Sequence, residues 1–243
     1  MVELRGKAAI VTGGTRGIGR AIAQSLAEAG VSVAVASRNA DDCERAAREI
    51  EQSTGVRARG IACDVRSAEA CARLVEDTTA TFGRLDILIN NAGIGAFAPV
   101  ADMDVATWDA VVGTNLNSLF YCTHAALPHL RTSGAGGSGV AWVINIGSLA
   151  GKNAFPNGAA YNATKFGLIG FSEALMQEVR YDGVRVSYIM PGSVATEFSH
   201  PSGKTDDDWK VQPEDIAQIV MDLLSFPART LPSRVEVRPS QPG

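Results

Sequence analysis

Histidine and cysteine are scarce in this chain, and neither is spaced for metal chemistry. His124, His129 and His200 have no ligand spacing with any of the four cysteines, so no metal site is expected. Cys43, Cys63, Cys71 and Cys122 form no C-x-x-C pair. They read as reduced, packed thiols of a cytoplasmic protein and not as bridges. Excess charge is also lacking. A formal net charge of −4 gives no electrostatic reason for a nucleic-acid or anionic-membrane partner. No apolar run approaches the roughly 18 residues of a membrane span. Val2, Glu3, Leu4 and Arg5 lead straight into a strand pattern, with no signal-peptide pattern before it.

What remains is a globular composition, 46% hydrophobic and 20% charged, in a length of 243 residues that suits one domain over 1–243. Short apolar runs at 8–12, 31–36, 56–63, 87–90, 140–146 and 184–190 read as strands. Several are apolar at consecutive positions, as strands covered on both faces should be. Amphipathic stretches at 17–29, 41–52, 67–82, 104–130 and 158–180 read as helices between them, and 213–224 as a helix before a last edge strand at 234–237. This alternation predicts an α/β fold: a doubly wound, mostly parallel sheet with right-handed crossovers and helices on both faces. The segment S-G-A-G-G-S-G at 133–139 reads as a loop within the domain.

The first strand runs into T-G-G-T-R-G-I-G, Thr12 to Gly19, which opens the first helix. Glycine allows a tight turn and lets the backbone approach a pyrophosphate, and the helix N-terminus offers N–H groups to that anion. Gly13, Thr15, Arg16, Gly17, Ile18 and Gly19 are therefore candidate dinucleotide-binding residues. The second strand ends at Ser37-Arg38, where an NAD site usually places an acid for the ribose 2′-hydroxyl. Arg38 and Arg16 instead suit a 2′-phosphate, with no acid in view to repel it, and the expected cofactor is NADP(H) ahead of NAD(H).

Downstream, Tyr161 and Lys165 stand four residues apart in Y-N-A-T-K, 13 residues after Ser148. On one helix, i and i+4 share a face, so the ammonium can lie near the phenol. A phenol titrates near pH ~10, and a neighbouring cation lowers that value. Tyr161 is the candidate general acid or base.

Together these residues resemble the short-chain dehydrogenase/reductase family over almost the whole chain. The resemblance implies a Rossmann-type, seven-stranded fold and reversible hydride transfer between nicotinamide C4 and a ketone or secondary alcohol. It assigns Asn115, Ser148, Tyr161 and Lys165 as a catalytic tetrad, with Asn115 holding a water that links Lys165 to solvent. It makes Asp64-Val65 an adenine-contacting pair. N-N-A-G at Asn90–Gly93 steadies the central sheet, with Asn91, Ala92 and Gly93 on the cofactor side. P-G-S-V-A-T, with Pro191, Gly192, Val194 and Thr196, cradles the nicotinamide; Tyr161 and Lys165 also touch the cofactor. The segment 193–211, with Phe198, His200, Pro201 and Trp209, is expected to close over substrate, and Ala96, Phe97, Phe155 and Pro156 to add apolar wall.

Within the family the resemblance is greatest to 3-oxoacyl-[acyl-carrier-protein] reductases. The positions used there for basic carrier-docking residues here hold Gly136, Gly137, Ser138, Gly139 and Asp182, and the tail V-E-V-R-P-S-Q-P-G is not glycine-rich. The expected substrate is a small-molecule carbonyl or alcohol, and the expected assembly a homodimer or homotetramer through the long helices. A non-catalytic NADP(H)-binding regulator is the alternative of another class.

Overall fold

The computed structural model describes residues 3–135, 140–196 and 208–241. Seven strands, β1 (Ala8–Thr12), β2 (Ser32–Ser37), β3 (Ala58–Ala62), β4 (Ile87–Asn90), β5 (Ala141–Ile146), β6 (Val184–Pro191) and β7 (Arg234–Val237), form one sheet in the order β3-β2-β1-β4-β5-β6-β7. Every pairing is parallel, including β7 on β6, where the sequence pointed only to a mostly parallel sheet. The helices are α1 (Gly17–Glu28), α2 (Ala40–Thr54), α3 (Ala68–Phe82), α4 (Val105–Val112), α5 (Ser118–Gly134), α6 (Ala159–Val179) and α7 (Pro213–Ser225). Among the described residues, no helix is long and apolar enough to cross a membrane.

Side chains that alternate along the central strands feed two large cores, one on each face of the sheet, and Tyr188 and Met190 of β6 join a smaller third cluster with Leu119 and Leu168. Ala9 and Val11, Val33 and Val35, Ile87 and Ile89, and Trp142 and Ile144 pack on the side of α1 and α7. Ala8 and Ile10, Ala34 and Ala36, Leu88, and Val143 pack on the side of α3, α5 and the end of α6. Because both faces are covered, the strands need apolar residues at consecutive positions, which is the pattern the sequence carries. Asp86, fully buried before β4, ties the sheet's lower edge by accepting from Ala8 N at 2.9 Å and from Arg84 at 2.6 and 2.7 Å.

The expectation of one helix over 104–130 is corrected. A π-helical turn, Gly113–Asn117, separates α4 from α5. The buried Asn115 sits in that turn, and its side chain bonds the backbone of Ile94, 21 residues away. A widened turn of this kind is a recurrent mark of functional sites.

Candidate active site

Successive strands run outward from β1 in opposite directions, through β2 to β3 and, beginning again at β4, through β5 to β7. The crevice between β1 and β4 is thus the switch point where open α/β sheets bind ligands. A cleft of about 830 Å³ lies there, lined by the loops after β1, β2, β3, β4, β5 and β6.

One end is shaped for an anion. Gly17 has φ +52°, and a Cβ added there would come within 3.3 Å of the Thr196 side chain. The N-terminus of α1 has no side-chain cap and no acid in its first turn, whereas α2, α3 and α4 are capped by Asn39, Ser67 and Asp104. Its N–H groups are left to a ligand. Asn91 fixes the glycine loop, with Nδ2 donating to the carbonyls of Thr12 at 3.0 Å and Gly13 at 3.1 Å. Thr12 Oγ1 in turn accepts from Asn91 N and Ala92 N. Asn90 turns the other way and donates to Asn145 Oδ1 at 2.9 Å, inside the sheet. Thr15, Arg16, Gly17 and Ile18 share this part of the lining with Ser37 and Arg38. Asp64 and Val65 lie alongside; Arg66 grips the Asp64 carboxylate at 2.6 to 3.1 Å and holds it below the usual carboxylate range.

At the other end stand Ser148, Tyr161 and Lys165, with Gly93, Pro191, Gly192, Val194 and Thr196. Ser148 leaves β5 in extended conformation, and its Oγ accepts from Ala150 N at 3.1 Å. Its hydroxyl also hydrogen-bonds the Tyr161 phenol. Lys165 is buried one turn along α6, its Nζ donating to the Ile146 carbonyl at 3.1 Å and lying 5.6 Å from the Tyr161 ring centroid. Burial pulls the Lys165 ammonium down to about 8. Burial likewise pushes the Tyr161 phenol up, and the Ser148 hydrogen bond works against it. The expectation that Lys165 lowers Tyr161 is therefore not met here: burial raises the phenol, and the contact that lowers it is Ser148.

Gly19 and Asn115 stand apart from the cleft lining, and so do the expected wall residues Ala96, Phe97, Phe155 and Pro156, of which Phe97 reaches it through its contact with the Tyr161 ring. Gly19 packs beneath the loop, where a Cβ would meet the Gly13 carbonyl oxygen at 2.3 Å. Asn115 lies under the site: Oδ1 accepts from Ile94 N at 2.8 Å, and Nδ2 donates to Ile94 O at 2.9 Å and Thr164 Oγ1 at 3.3 Å. With its side chain so engaged, any water it holds falls to its main chain. Asn39, Asp42, Cys63, Ile94, Thr114, Ile146 and Gly147 line the cleft without having been anticipated. Asp42 matters most, because it puts an acid at the end read as free of acids; Arg45 engages its carboxylate. The pattern S-R-N-A-D-D after β2 carried that signal, since a capping asparagine places the third residue after it at the same helix mouth.

Of the closing segment, both ends are described. Val194 bridges to Val211, Ala195 N donates to Val211 O at 2.9 Å, and Val211 N donates to Ser193 O at 3.1 Å. Trp209 is partly exposed near this junction. Phe198, His200 and Pro201 lie outside the described residues, as do Gly136 to Gly139.

The model of the short chain dehydrogenase family matches residues 7–207. Sulfoacetaldehyde reductase 2 of Chromohalobacter salexigens is 33% identical over 242 residues, covering 96% of this chain and 94% of that one. A metagenomic short-chain oxidoreductase solved in complex with NADP is 36% identical, with a TM-score of 0.85, over 99% of this chain and 100% of that one. The 3-ketoacyl-(acyl-carrier-protein) reductase of Brucella melitensis, solved with NADH, is 27% identical with a TM-score of 0.88, over 98% of each chain. With the glycine turn, the switch-point cleft and the Ser148–Tyr161–Lys165 cluster in one molecule, the chain belongs to the short chain dehydrogenase family and is an oxidoreductase of CH–OH and C=O groups.

Proposed function

We propose that this single catalytic domain is an NADP(H)-dependent carbonyl reductase, transferring hydride reversibly between nicotinamide C4 and a ketone or secondary alcohol with Tyr161 as general acid/base. The observation that carries the reading is the hydrogen bond between Ser148 and Tyr161 beside the buried Lys165, at one end of a cleft whose other end holds an uncapped helix N-terminus and two arginines.

The cofactor fits the residues present. The α1 N-terminus and the turn at Gly13 and Gly17 suit a pyrophosphate, Arg16, Ser37 and Arg38 a 2′-phosphate, and Asp64 and Val65 the adenine. Pro191, Gly192, Val194 and Thr196 would flank the nicotinamide half, and Asn91, Ala92 and Gly93 the adenosine and ribose side. When bound, the nicotinamide supplies or accepts the hydride. The NADP in the metagenomic relative supports the phosphate form.

In the reduction direction, the Ser148 hydroxyl holds and polarises the carbonyl oxygen. Tyr161, kept protonated through neutral pH by its burial, delivers a proton to the forming alkoxide. The Lys165 ammonium then lies close enough to favour the phenolate left behind. Oxidation reverses each transfer.

A small-molecule substrate is preferred to a carrier-bound one, because Asp182 at the end of α6 already pairs with Arg131 at 2.7 Å. A second copy of the chain is the proposed partner, through α5 and α6, where Phe120 and Phe166 are 52% and 47% exposed. The four unbridged cysteines support a reducing, cytoplasmic setting. A spectrophotometric screen of ketones, diketones and quinones with NADPH and NADH in parallel tests the proposal. No oxidation of either cofactor with any carbonyl would leave the non-catalytic regulator in its place.

A further inference from the structure

Two aromatic rings beside Tyr161 are left uncovered by the fold. Phe97, in the loop after β4, is 53% exposed, and Phe155, in the loop before α6, is 42% exposed. Their centroids lie 5.8 Å apart with planes tilted by 50°. Phe97 meets the Tyr161 ring edge to face, at 5.6 Å and 71°. Three rings thus form one chain of contacts beginning at the proposed proton donor, and the two phenylalanines in it are exposed.

The surrounding contacts fix these rings in place. Asn157 is the one described non-glycine residue at positive φ, 65°, and its carbonyl accepts from Ala98 N at 2.9 Å, which joins the two phenylalanine loops. Asn162, buried next to Tyr161 in the chain, donates through Nδ2 to the carbonyls of Ala150 at 2.6 Å and Asn153 at 3.3 Å. Its Oδ1 accepts from Phe155 N at 3.3 Å. At Gly158 a Cβ would come within 2.5 Å of the Phe155 ring, so glycine lets that ring press onto the start of α6. Side chains locked by packing and outer hydrogen bonds are what a selective pocket requires.

Charge narrows the choice of ligand. The charged residues of the cleft lining are Arg16, Arg38, Asp42, Asp64 and Lys165. Arg16, Arg38 and Asp64 belong to the loops after β1, β2 and β3, Asp42 to the first turn of α2, and Lys165 is bonded inward to Ile146. Among the described residues lining the cleft, the Ser148 end has no cation besides this inward-bonded Lys165 to fix a carboxylate, sulfonate or phosphate.

We propose that the substrates are ketones bearing an aryl or other planar conjugated group next to the carbonyl, with Phe97 and Phe155 as the specificity-determining residues. This rests on the reading of Tyr161 as proton donor to the carbonyl. A substrate ring beside Phe97 and Phe155 would make tilted or edge contacts of the kind aromatic pairs favour, and would remove both side chains from water.

The test compares kcat/KM with NADPH for acetophenone and 1-phenyl-1,2-propanedione against butan-2-one, 2,3-butanedione and sulfoacetaldehyde. The wild type is set beside Phe97→Ala, Phe155→Ala and Phe155→Leu, each checked for an unchanged thermal transition. Aryl ketones are expected to lead their aliphatic counterparts by about tenfold or more. Either alanine variant should cut that ratio by about tenfold, chiefly through KM, and Phe155→Leu should restore only part of it. In parallel, saturation-transfer NMR should show the phenyl protons of acetophenone bound to the wild type and released by both alanine variants. Equal use of aryl and aliphatic ketones, preference for sulfoacetaldehyde, or an unmoved ratio in the variants would overturn the inference while carbonyl reduction stands. If no carbonyl is reduced, the underlying reading fails, and the NMR comparison still decides whether these rings hold an aryl group.

Discussion

Lys165 places its Nζ 5.6 Å from the centroid of the Tyr161 ring and donates to the Ile146 carbonyl at 3.1 Å, inside the protein. Both groups are displaced toward their neutral forms by burial, the lysine downward and the tyrosine upward. The buried Lys165 ammonium therefore stores charge-desolvation cost at the reaction centre, which is where function and stability oppose each other.

That cost is measurable. The folded Lys165 titrates at about 8 against 10.5 for an ordinary lysine, a difference of about 3 kcal/mol. Between these two values the unfolded chain binds the proton more tightly, so wild-type stability from this group rises as pH rises through the window and is lowest below it. Lys165→Met removes the buried cation but leaves the Ile146 carbonyl without this donor, at about 1 kcal/mol. The variant should be inactive yet more stable than wild type at pH 7 by about 1–2 kcal/mol, or about 3–6 °C in Tm. The gap should close by about pH 10, the top of the window. Thermal melts of both proteins across that range decide it, and a variant less stable at pH 7 contradicts the buried-charge account.

Tyr161→Phe keeps the ring that Phe97 packs against and removes only the hydroxyl bonded by Ser148. Turnover should fall by about 10²–10⁴, the range for loss of a general acid. NADPH affinity by fluorescence titration should stay within about threefold, because the Tyr161 ring remains in place and only the proton donor is lost. Turnover near wild type would remove Tyr161 from the mechanism.

The parts legible in the sequence were those fixed by local chemistry. The glycine turn, the strands with apolar residues at every position, and Tyr161 with Lys165 at helical spacing are each written in a few consecutive residues. What escaped was non-local. The π-helical turn at Asn115 depends on bonds to Ile94 on another loop, and a helical period runs through 104–130 unbroken. Cys71 and Cys122 lie 51 residues apart, yet their sulfurs approach to 3.4 Å. The direction of the Tyr161 shift also escaped, because i,i+4 spacing gives proximity and says nothing of how much water both groups lose.

At the opposite end of the cleft, Arg16 and Arg38 both line the wall, with Asp42 engaged by Arg45 nearby. A charge-assisted hydrogen bond contributes about 1.5–3 kcal/mol. The double variant Arg16→Ala/Arg38→Ala should raise the KM for NADPH by about 10²-fold and that for NADH by about threefold or less. Equal increases for both cofactors would place the arginines elsewhere than on the 2′-phosphate. Removing Asp42 as well should leave the NADH value higher or unchanged and never favour NAD.

Phe120 stacks on His124 at 5.3 Å and leaves half its surface exposed on α5, and Phe166 leaves about as much exposed on α6. Burying such rings against a second copy stabilises association by about 1.5–3 kcal/mol each. If the chain associates through this face as proposed, Phe120→Glu and Phe166→Glu should each lower the mass seen by light scattering at micromolar concentration toward that of a monomer. An unchanged mass would remove this face from the assembly.

Asn115 provides the sharpest separation of positioning from proton relay. Its side chain bonds Ile94 N, Ile94 O and Thr164 Oγ1, and so clamps the loop after β4 to the π-helical turn and α6. Asn115→Ala leaves buried backbone groups unpaired, at about 1–3 kcal/mol each. The variant should lose about 2–4 kcal/mol in urea unfolding, with lower kcat and higher KM together, since the loop that carries Phe97 is no longer pinned. Its solvent deuterium isotope effect on kcat should match the wild type, because the side chain is spent on the clamp. A collapsed isotope effect with stability intact would instead put the Asn115 side chain in the path of the proton.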